Sequence, residues 1–483
     1  MRFNFKIISN ILGLLLIING GFILLCLPVS IFFGEGGLIP ILVSGLITVV
    51  VGLLLWYATR KAGKELRKRD GYLIVSLGWL TMSLFGTLPY ILSGAIPDFT
   101  NAFFETISGF TTTGASVLND IESLPKGILF WRSLTQWIGG MGIIVLAVAI
   151  LPLLGIGGMQ LFIAEAPGLK PDKLQPRIAQ TAKRLWLIYF GLTFSEFVLL
   201  RLAGMTYFDA MNHALTTMAT GGFSTKQDSM AFYGPTVQYI VIVFMFLAGT
   251  NFTLTYFGFK GNFKKIWQNE EFRVYLKLVG LLSLAIGLVI YLVVGSSIEE
   301  SFRDALFQVV SIITTTGFVS ADYTSWVPGV TILFFMMMFL GGSAGSTAGG
   351  VKIVRHILLL KNGILELKRQ LHPSAIIPVR LNQRAVSQDI TFNVLAFIMI
   401  YITVTVVSTV VMGMLGEDVL TSLGAVATSL GNIGPGIGAV GPLDNFADMP
   451  SGGKWFLSFL MLLGRLELFT VLILFTPYFW KRS

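Results

Sequence analysis

The sequence predicts an all-α polytopic membrane protein with ten transmembrane helices, the last eight arranged as four parallel repeats around a pseudo-four-fold axis. Three observations carry this prediction. The 483 residues are 54% hydrophobic and only 12% charged, which is about half the charged share of a typical soluble domain. Ten apolar runs have the length that a membrane span needs. Four short segments that end in glycine recur at the same spacing between later runs.

The ten apolar runs account for the ten predicted spans. A helix needs about 20 apolar residues to cross the hydrocarbon core of a bilayer. The first run is too long for a secretory signal peptide, and it has no small-x-small cleavage pattern before Gly34. The runs lie near 9–33, 39–59, 72–93, 130–153, 184–203, 236–258, 275–295, 327–342, 390–415 and 455–479.

The basic residues fix the orientation of these spans. Most of the 34 Lys and Arg residues lie at the termini and in the connections after runs two, four, six and eight. By the positive-inside rule these parts are cytoplasmic, so both termini are predicted to lie inside. The net charge of +9 is then a feature of membrane topology. We therefore expect a lipid membrane as the surroundings and no nucleic acid as a partner.

The predicted external segments have the opposite charge balance, with fourteen acidic residues against five basic ones. An acidic mouth would raise the local concentration of cations. The alternative is that exposed loops simply carry charge of either sign, and the sequence leaves both interpretations open.

Four external segments each contain an apolar stretch of about 10–12 residues, which is too short to span a bilayer but suits a re-entrant helix. The four stretches align without gaps and run in the same direction, which indicates a parallel internal repeat. We call their final residues filter segments 1 to 4. They are Thr111, Thr112, Thr113 and Gly114; Ala219, Thr220, Gly221 and Gly222; Thr314, Thr315, Thr316 and Gly317; and Gly431, Asn432, Ile433 and Gly434.

This pattern predicts helix–pore-loop–helix repeats around a central pore. Non-helical backbone at membrane depth persists only where it is buried in protein or lines a watery cavity. The final glycines permit positive φ, so consecutive carbonyls can point inward and replace the water shell of a cation, as in potassium filters. One such motif alone is more often a helix C-cap, but four matched copies favour a filter. His213, in the second copy, is either a packed support or a proton sensor.

The eighth span is predicted to be interrupted between residues 341 and 350. These ten residues are only Gly, Ser, Ala and Thr, and a helix loses about 1 kcal/mol per glycine relative to alanine. The alternatives are close packing of a helix through small residues and an unwound loop below the filter that acts as a gate. The candidate gate residues are Gly341, Gly342, Ser343, Gly345, Ser346, Thr347, Gly349 and Gly350.

Arg465 lies midway along the tenth run, where a charge costs roughly 2.5–3.5 kcal/mol on insertion scales. It either ties pore-helix carbonyls together or faces the cavity, where it repels cations and braces the gate. Glu467 is expected on another face of the same helix. In the fifth span, Glu196 is interpreted as a packing-face acid and Arg201 as a snorkelling base. Asn251 in the sixth span makes either an interhelical hydrogen bond or a gate contact.

The filter segments, with the stretches Gly341–Lys352 and Leu463–Glu467, resemble the Trk/Ktr/HKT superfamily of potassium transporters. The two extra leading spans and the stretch Ala164–Gly168 resemble its bacterial Trk-type branch. The resemblance implies a potassium uptake protein of the bacterial inner membrane, with Arg465 at the constriction. It also implies a homodimer and a cytosolic TrkA-type nucleotide-binding regulatory subunit. Relatives that prefer sodium carry serine at the position of Gly114, so glycine there implies potassium selectivity.

Potassium is the expected transported ion. No organic cofactor is expected, because the sequence has no Walker motif. No enzyme is expected, because no Ser/His pair or pair of aspartates lies at membrane depth. The alternative function is a proton- or sodium-coupled potassium symporter on the same fold. The basic segment 352–388 is the expected docking surface for the regulatory subunit.

The predicted organisation has five parts. They are two extra spans with a basic loop at 1–70, repeat 1 at 71–168, repeat 2 at 169–268, repeat 3 at 269–370 with the gating loop 341–350, and repeat 4 at 371–483.

Overall fold

The computed structural model describes residues 3–61, 67–145, 175–373, 375 and 377–481. Within these ranges the regular elements are helices, apart from one antiparallel hairpin, Arg380–Leu381 with Arg384–Ala385. Six of the described helices are long and apolar enough to cross a membrane, or up to eight if each of two bent pairs is one span. The predicted all-α membrane fold is confirmed. The stretch Ala164–Gly168 and residues 146–153 of the fourth predicted span lie outside the described residues.

The first two spans form a closely packed pair beside the repeats. The first comprises the helices Phe5–Leu24 and Leu27–Phe33, and the second is Leu38–Thr59. A Cβ on Gly13 would lie 2.7 Å from the Trp56 backbone nitrogen. Small residues therefore allow the two backbones to approach closely, as is common between helices in membranes.

Each of the four repeats consists of a first span, a short helix that we call a pore helix, a filter segment and a second span. The first spans are Lys68–Gly86 with Leu88–Ser93, then Gln175–Leu202, Glu270–Val293 and Gln388–Met414. Pore helices 1 to 4 are Phe99–Phe110, Tyr207–Met218, Ile298–Ile313 and Val419–Gly431. The second spans are Lys126–Val145, Pro235–Ala248 with Phe252–Phe259, Pro328–Met337, and Ser451–Arg465 with Phe469–Leu472.

Shorter elements connect these parts. They are the helices Phe263–Gln268, Ile353–Leu371 and Pro477–Trp480, and the 3-10 turns Ser229–Phe232, Gly438–Val440 and Ile473–Phe475.

The pore helices begin where the sequence provides an N-cap. Asp98, Thr206, Ser297 and Asp418 each accept a hydrogen bond from a backbone N–H of the first helical turn. Such caps satisfy donors that a helix start otherwise leaves unpaired. Each pore helix therefore starts at a defined residue, which also sets where its filter segment begins.

Two second spans, the sixth and the tenth, are sharply broken at places where the sequence analysis indicated no interruption. The sixth bends by 110° after Ala248, and the tenth bends by 112° after Arg465. At the second break Glu467 and Leu468 have φ of 58° and 40°, a conformation that ends a helix. Arg465 and Glu467 therefore do not lie on one helix, contrary to expectation. The helix of the eighth span, Pro328–Met337, ends before the predicted interruption at residues 341–350.

Candidate functional site

The four filter segments share one backbone conformation. In each segment the second and fourth residues have positive φ, whereas the sequence predicted this only for the fourth. The φ values of the second residues are 52° at Thr112, 53° at Thr220, 55° at Thr315 and 54° at Asn432. Those of the fourth are 83° at Gly114, 78° at Gly222, 78° at Gly317 and 103° at Gly434. A β-branched residue with positive φ is rare, so three threonines in this state at matching positions show a shared constraint.

That constraint is the C-terminal cap of each pore helix. The third filter residue donates its N–H to the carbonyl five residues earlier, which is the long bond of a Schellman motif with a left-handed residue before it. These bonds run from Thr113 to Ser108 at 2.8 Å, Gly221 to Thr216 at 2.9 Å, Thr316 to Ser311 at 2.8 Å and Ile433 to Thr428 at 3.0 Å. The segments are thus helix caps, and they are also the turns from which the chain leaves each pore helix.

The four filter segments form a closed ring in chain order. The last glycines of all four line one cavity of about 90 Å³. Each of these glycines also packs against the backbone of the next segment, so that a Cβ would collide with a carbonyl oxygen there. The neighbours are Gly221 for Gly114, Thr316 for Gly222, Ile433 for Gly317 and Thr113 for Gly434. The fourth segment therefore closes onto the first.

The charges around this cavity are largely paired. Arg132 and Lys226 line the cavity together with Asp444. Lys226 pairs with Glu122 at 2.9 Å. Glu105 is fully buried and pairs with Arg132 at 2.7 Å. Both basic side chains of the lining are thus paired with a carboxylate, and the cation funnel at the external mouth stays a prediction.

Glu105 belongs to a support that recurs in three repeats. Its Oε2 accepts the N–H of Val117 beyond filter segment 1 at 2.9 Å. Gln308, at the matching position of pore helix 3, donates to the Ala321 carbonyl at 3.1 Å. The matching residue of pore helix 4 is Ala425, which has no side-chain hydrogen bond to offer. In the sequence Glu105 is one of the external acidic residues, and no local pattern marks it as part of this support.

His213 is the third member of this support. Its Nδ1 lies 2.8 Å from the Asp209 carbonyl oxygen, and its Nε2 lies 2.9 Å from the Ser224 hydroxyl. Both ring nitrogens are thus engaged in a buried site between pore helix 2 and the chain beyond filter segment 2. These contacts favour a support over a proton sensor.

The side chains of filter segments 1 and 3 are alike. The hydroxyls of Thr111 and Thr113 lie 2.7 Å apart, and so do those of Thr314 and Thr316. All four side chains are buried. The threonines therefore form hydroxyl pairs behind the backbone rather than facing solvent.

Filter segment 2 has a different support, Gln136 from the second span of repeat 1. Its Nε2 donates to the Gly221 carbonyl at 2.6 Å, and its Oε1 accepts from the Phe223 N–H at 3.1 Å. One amide thus holds both ends of the turn at Gly222. No local pattern in the sequence marks this contact, which joins residues 85 positions apart.

Filter segment 4 is held by Asn432. Its Nδ2 donates to the Thr113 hydroxyl at 3.0 Å and to the Met461 carbonyl at 2.9 Å. The first bond crosses to filter segment 1 and the second reaches the tenth span. Asn432 therefore joins the two ends of the ring.

Residues 341–350 are non-helical, as predicted, and they contact the ring without lining the cavity. The Thr347 hydroxyl donates to the Met218 carbonyl at 3.0 Å. The Gly349 N–H donates to the Thr315 hydroxyl at 2.6 Å. A Cβ on Gly349 would lie 2.6 Å from the Gly431 carbonyl oxygen. The loop is thus unwound rather than a packed helix, and its small residues still pack closely against the ring; its role as a gate stays a prediction.

The remaining loop residues fasten it to itself and to the sixth span. The Gly341 N–H donates to the Val351 carbonyl at 2.8 Å, the Ser343 N–H to the Gly249 carbonyl at 2.8 Å, and the Ser346 hydroxyl to the Ser343 carbonyl at 2.6 Å.

The glycines of the loop are closely packed or left-handed. A Cβ on Gly342 would lie 2.8 Å from the Gly249 oxygen, and Gly345 and Gly350 have φ of 75° and 62°. Asn251 caps the helix after the break by accepting from Thr253, and it lies beside Gly345.

Arg465 is buried, with 3% of its surface exposed. Its guanidinium donates to the Thr347 carbonyl at 2.8 Å and to the Gly139 carbonyl at 3.1 Å. It therefore ties the loop to the second span of repeat 1 and does not bond pore-helix carbonyls. Glu467 lies beyond the break and pairs with Arg355 at 2.5 Å.

The fifth-span charges lie away from this centre. Glu196 is buried beside Thr217 of pore helix 2. Arg201 donates to the Met205 carbonyl at 3.4 Å and stacks over the Tyr207 ring at 4.3 Å. Across the described ranges, no three His, Cys, Asp or Glu side chains are grouped to hold a metal ion.

Comparisons with known proteins agree with this architecture. Residues 40–482 match the family model TrkH, cation transport protein. The Trk system potassium uptake protein TrkH of Escherichia coli (strain K12) is 42% identical over 484 residues, covering 99% of this chain and 100% of that protein. TrkG of the same strain is 35% identical over 99% of both chains. The crystal structure of the potassium transporter TrkH from Vibrio parahaemolyticus matches with a TM-score of 0.91 at 40% identity, covering 100% of both chains.

Proposed function

The chain belongs to the TrkH family of cation transport proteins, and from this premise we propose that it carries potassium ions across the bacterial inner membrane through the ring of filter segments. It is a membrane transporter and not an enzyme. The observation that carries the proposal is the closed ring of four segments with two left-handed residues each. Potassium is the transported ion, in line with the names of its relatives.

The ring suits a dehydrated cation. Alternating left- and right-handed backbone turns successive carbonyls to the same side of a segment, and rings of carbonyl oxygens replace the water of a potassium ion. The four pore helices end at this ring, so their C-terminal partial negative charges favour a cation there. The supports from Gln136, Asn432 and the paired threonines hold the carbonyls in place.

The loop 341–350 and Arg465 form the gate in this proposal. The loop contacts the end of pore helix 2 and filter segments 3 and 4, and Arg465 fixes it through the Thr347 carbonyl. A buried positive charge at this level also repels a passing cation. An ion crosses when the loop moves aside and Arg465 gives up its two carbonyl partners.

We further propose that both termini are cytoplasmic, that the protein is a homodimer, and that a TrkA-type nucleotide-binding subunit docks on segment 352–388. Support for the docking surface comes from the helix Ile353–Leu371, which starts directly after the loop. The hairpin Arg380–Ala385 follows it and lines a cavity of about 520 Å³ with Lys265 and Arg273. Division into the repeats 71–168, 169–268, 269–370 and 371–483 belongs to the same proposal.

The test is rubidium-tracer uptake into proteoliposomes that are loaded with potassium. We expect external K⁺ to compete and Na⁺ not to compete. Arg465→Ala is expected to conduct several-fold faster, because the loop loses its tie to repeat 1. Arg465→Lys is the matched control, since it keeps the charge but loses the fork that reaches two carbonyls.

Two outcomes would overturn this mechanism. Uptake that collapses without external Na⁺ or a proton gradient would favour a coupled symporter on the same fold. An Arg465→Ala variant with unchanged flux and intact selectivity would remove Arg465 from the gate.

A further inference from the structure

A carboxylate outside the predicted site clasps the loop at two points. Glu271 lies in the first turn of the seventh span and is 4% exposed. Its Oε1 accepts the Ala344 N–H at 2.8 Å and the Val354 N–H at 3.2 Å. Ala344 lies within the loop, and Val354 lies just beyond it in the following helix. One oxygen atom thus joins the loop to the start of the helix that follows it.

The preceding residue clasps the hairpin in the same way. The Glu270 N–H donates to the Asn382 side-chain oxygen at 2.7 Å, and the Asn382 N–H donates to the Glu270 carboxylate at 3.2 Å. Lys361 also pairs with the Glu270 carboxylate. Asn382 lies in the tight turn of the hairpin, with φ of 49°. The hairpin is therefore fixed to the start of the seventh span by a reciprocal pair of bonds.

The two clasps are consecutive residues on a rigid element. Asn269 caps the helix by accepting the Phe272 N–H at 2.8 Å, so Glu270 and Glu271 are held in a regular first turn. A displacement of Glu270 therefore also moves Glu271, because a capped helical turn moves as a unit. The cavity of about 520 Å³ beside Asn382 leaves the hairpin room to shift.

We propose that the Glu270–Glu271 pair couples the position of the hairpin to the intramembrane loop, and that Glu271 is a positioning residue of the gate. When the hairpin moves away from Glu270, the start of the seventh span shifts. The hydrogen bonds from Glu271 to Ala344 of the loop and to Val354 of the following helix are then weakened. This proposal rests on the proposed function, in which the loop restrains ion flow.

The hairpin arm is tested with Asn382→Gly against Gln383→Gly in the full-length protein. Both positions have positive φ, 49° and 66°, which glycine adopts without strain. Only the first substitution removes a bond to Glu270. We expect Asn382→Gly to raise basal rubidium uptake at least threefold and Gln383→Gly to match the wild type. Equal uptake by the two variants would overturn the coupling.

The loop arm is tested with Glu271→Ala against Glu271→Gln. Glutamine keeps a carbonyl oxygen that can accept both N–H groups, whereas alanine keeps none. We expect at least threefold faster uptake for alanine and near wild-type uptake for glutamine. Competition by K⁺ over Na⁺ should stay unchanged in both, since the filter segments are not touched. A Glu271→Gln variant as fast as the alanine variant would contradict the positioning role.

The double variant Asn382→Gly with Glu271→Ala distinguishes one path from two separate effects. If the pair couples hairpin to loop, the double variant is no faster than Glu271→Ala alone, whereas multiplied effects would overturn the proposal. Should Glu271→Ala fail to purify as a single species, Asn382→Gly must still accelerate uptake in the Glu271→Gln background. A wild type without K⁺-competed uptake would instead disprove the proposed function, which is a separate result.

Discussion

Filter segments 3 and 4 hold the same backbone with different residues. In segment 3 the left-handed positions are Thr315 and Gly317, with φ of 55° and 78°. In segment 4 they are Asn432 and Gly434, with φ of 54° and 103°. Three of the four residue types differ between these segments, yet both cap their pore helix with the same long hydrogen bond. The repeat therefore preserves backbone conformation and not side-chain identity.

The supports behind these backbones differ completely. Segment 3 is backed by the hydroxyl pair of Thr314 and Thr316, which lies within one segment. Segment 4 is backed by Asn432, which bonds outward to Thr113 and Met461. One segment is thus internally braced, and the other depends on its neighbours. The same carbonyl geometry can be reached by either route.

The largest effect is expected from Gly317→Ala and Gly434→Ala, which test whether the two segments are equivalent in backbone. A Cβ on Gly317 would overlap the Ile433 carbonyl oxygen, and one on Gly434 would lie 2.9 Å from the Thr113 carbonyl oxygen. Left-handed backbone costs a residue with a Cβ roughly 1–2 kcal/mol before any overlap, and each 1.4 kcal/mol is about tenfold. We expect rubidium uptake to fall by on the order of 100-fold in both.

Gly329→Ala is the control for these two variants, because a Cβ there meets open space. If only one of the two filter variants lost uptake while the control kept it, the backbones would not be equivalent in function.

An intermediate effect is expected from Asn432→Gly, which removes the outward support and keeps the left-handed backbone. The loss of two buried hydrogen bonds, at about 1 kcal/mol each, should lower discrimination between K⁺ and Na⁺ by up to about 30-fold. Thr220→Gly is the matched control, because among the described residues the Thr220 hydroxyl bonds only the adjacent Ala219 carbonyl. Competition assays with both cations measure the difference. Equal discrimination by the two variants would show that segment 4 does not depend on its neighbours.

The smallest effect is expected from Thr315→Val compared with Thr112→Val, the same position in segments 3 and 1. The Thr315 hydroxyl accepts the Gly349 N–H at 2.6 Å, whereas the Thr112 hydroxyl has no partner among the described residues. Losing the acceptor leaves a buried N–H unpaired, which costs about 1–3 kcal/mol. We expect a two- to fivefold rise in uptake and a lower melting temperature for Thr315→Val only. Matching behaviour of both variants would contradict a role of Thr315 in holding the loop.

The sequence predicted what depends on spacing and on single residues. Register-matched glycines placed the four filter segments, and five glycines in ten residues predicted the unwound loop. It did not predict the left-handed threonines, because threonine alone rarely adopts positive φ. The breaks after Ala248 and Arg465 were missed as well, since both runs are largely apolar and neither has a proline at the break. Those breaks arise from close packing against the ring, which an apolar pattern does not encode.

The sequence also did not predict contacts between residues that are far apart in the chain. Glu271 reaches a loop residue 73 positions away, and Gln136 reaches one 85 positions away. Nothing in the local pattern around either residue marks it as a support. Glu105 and Arg132 looked like ordinary exposed charges, but their ion pair is buried between repeats 1 and 2.

The closure of the ring by Asn432 has a consequence for biosynthesis. Thr113 and Asn432 are 319 positions apart, so at about 5–20 residues per second the first filter segment waits roughly 15–60 s for its last neighbour. During that interval repeat 1 sits in the membrane with one flank of its filter segment uncovered. A ribosome that stalls before residue 432 therefore leaves three quarters of a ring, and quality control of the nascent chain has a defined vulnerable window to act on.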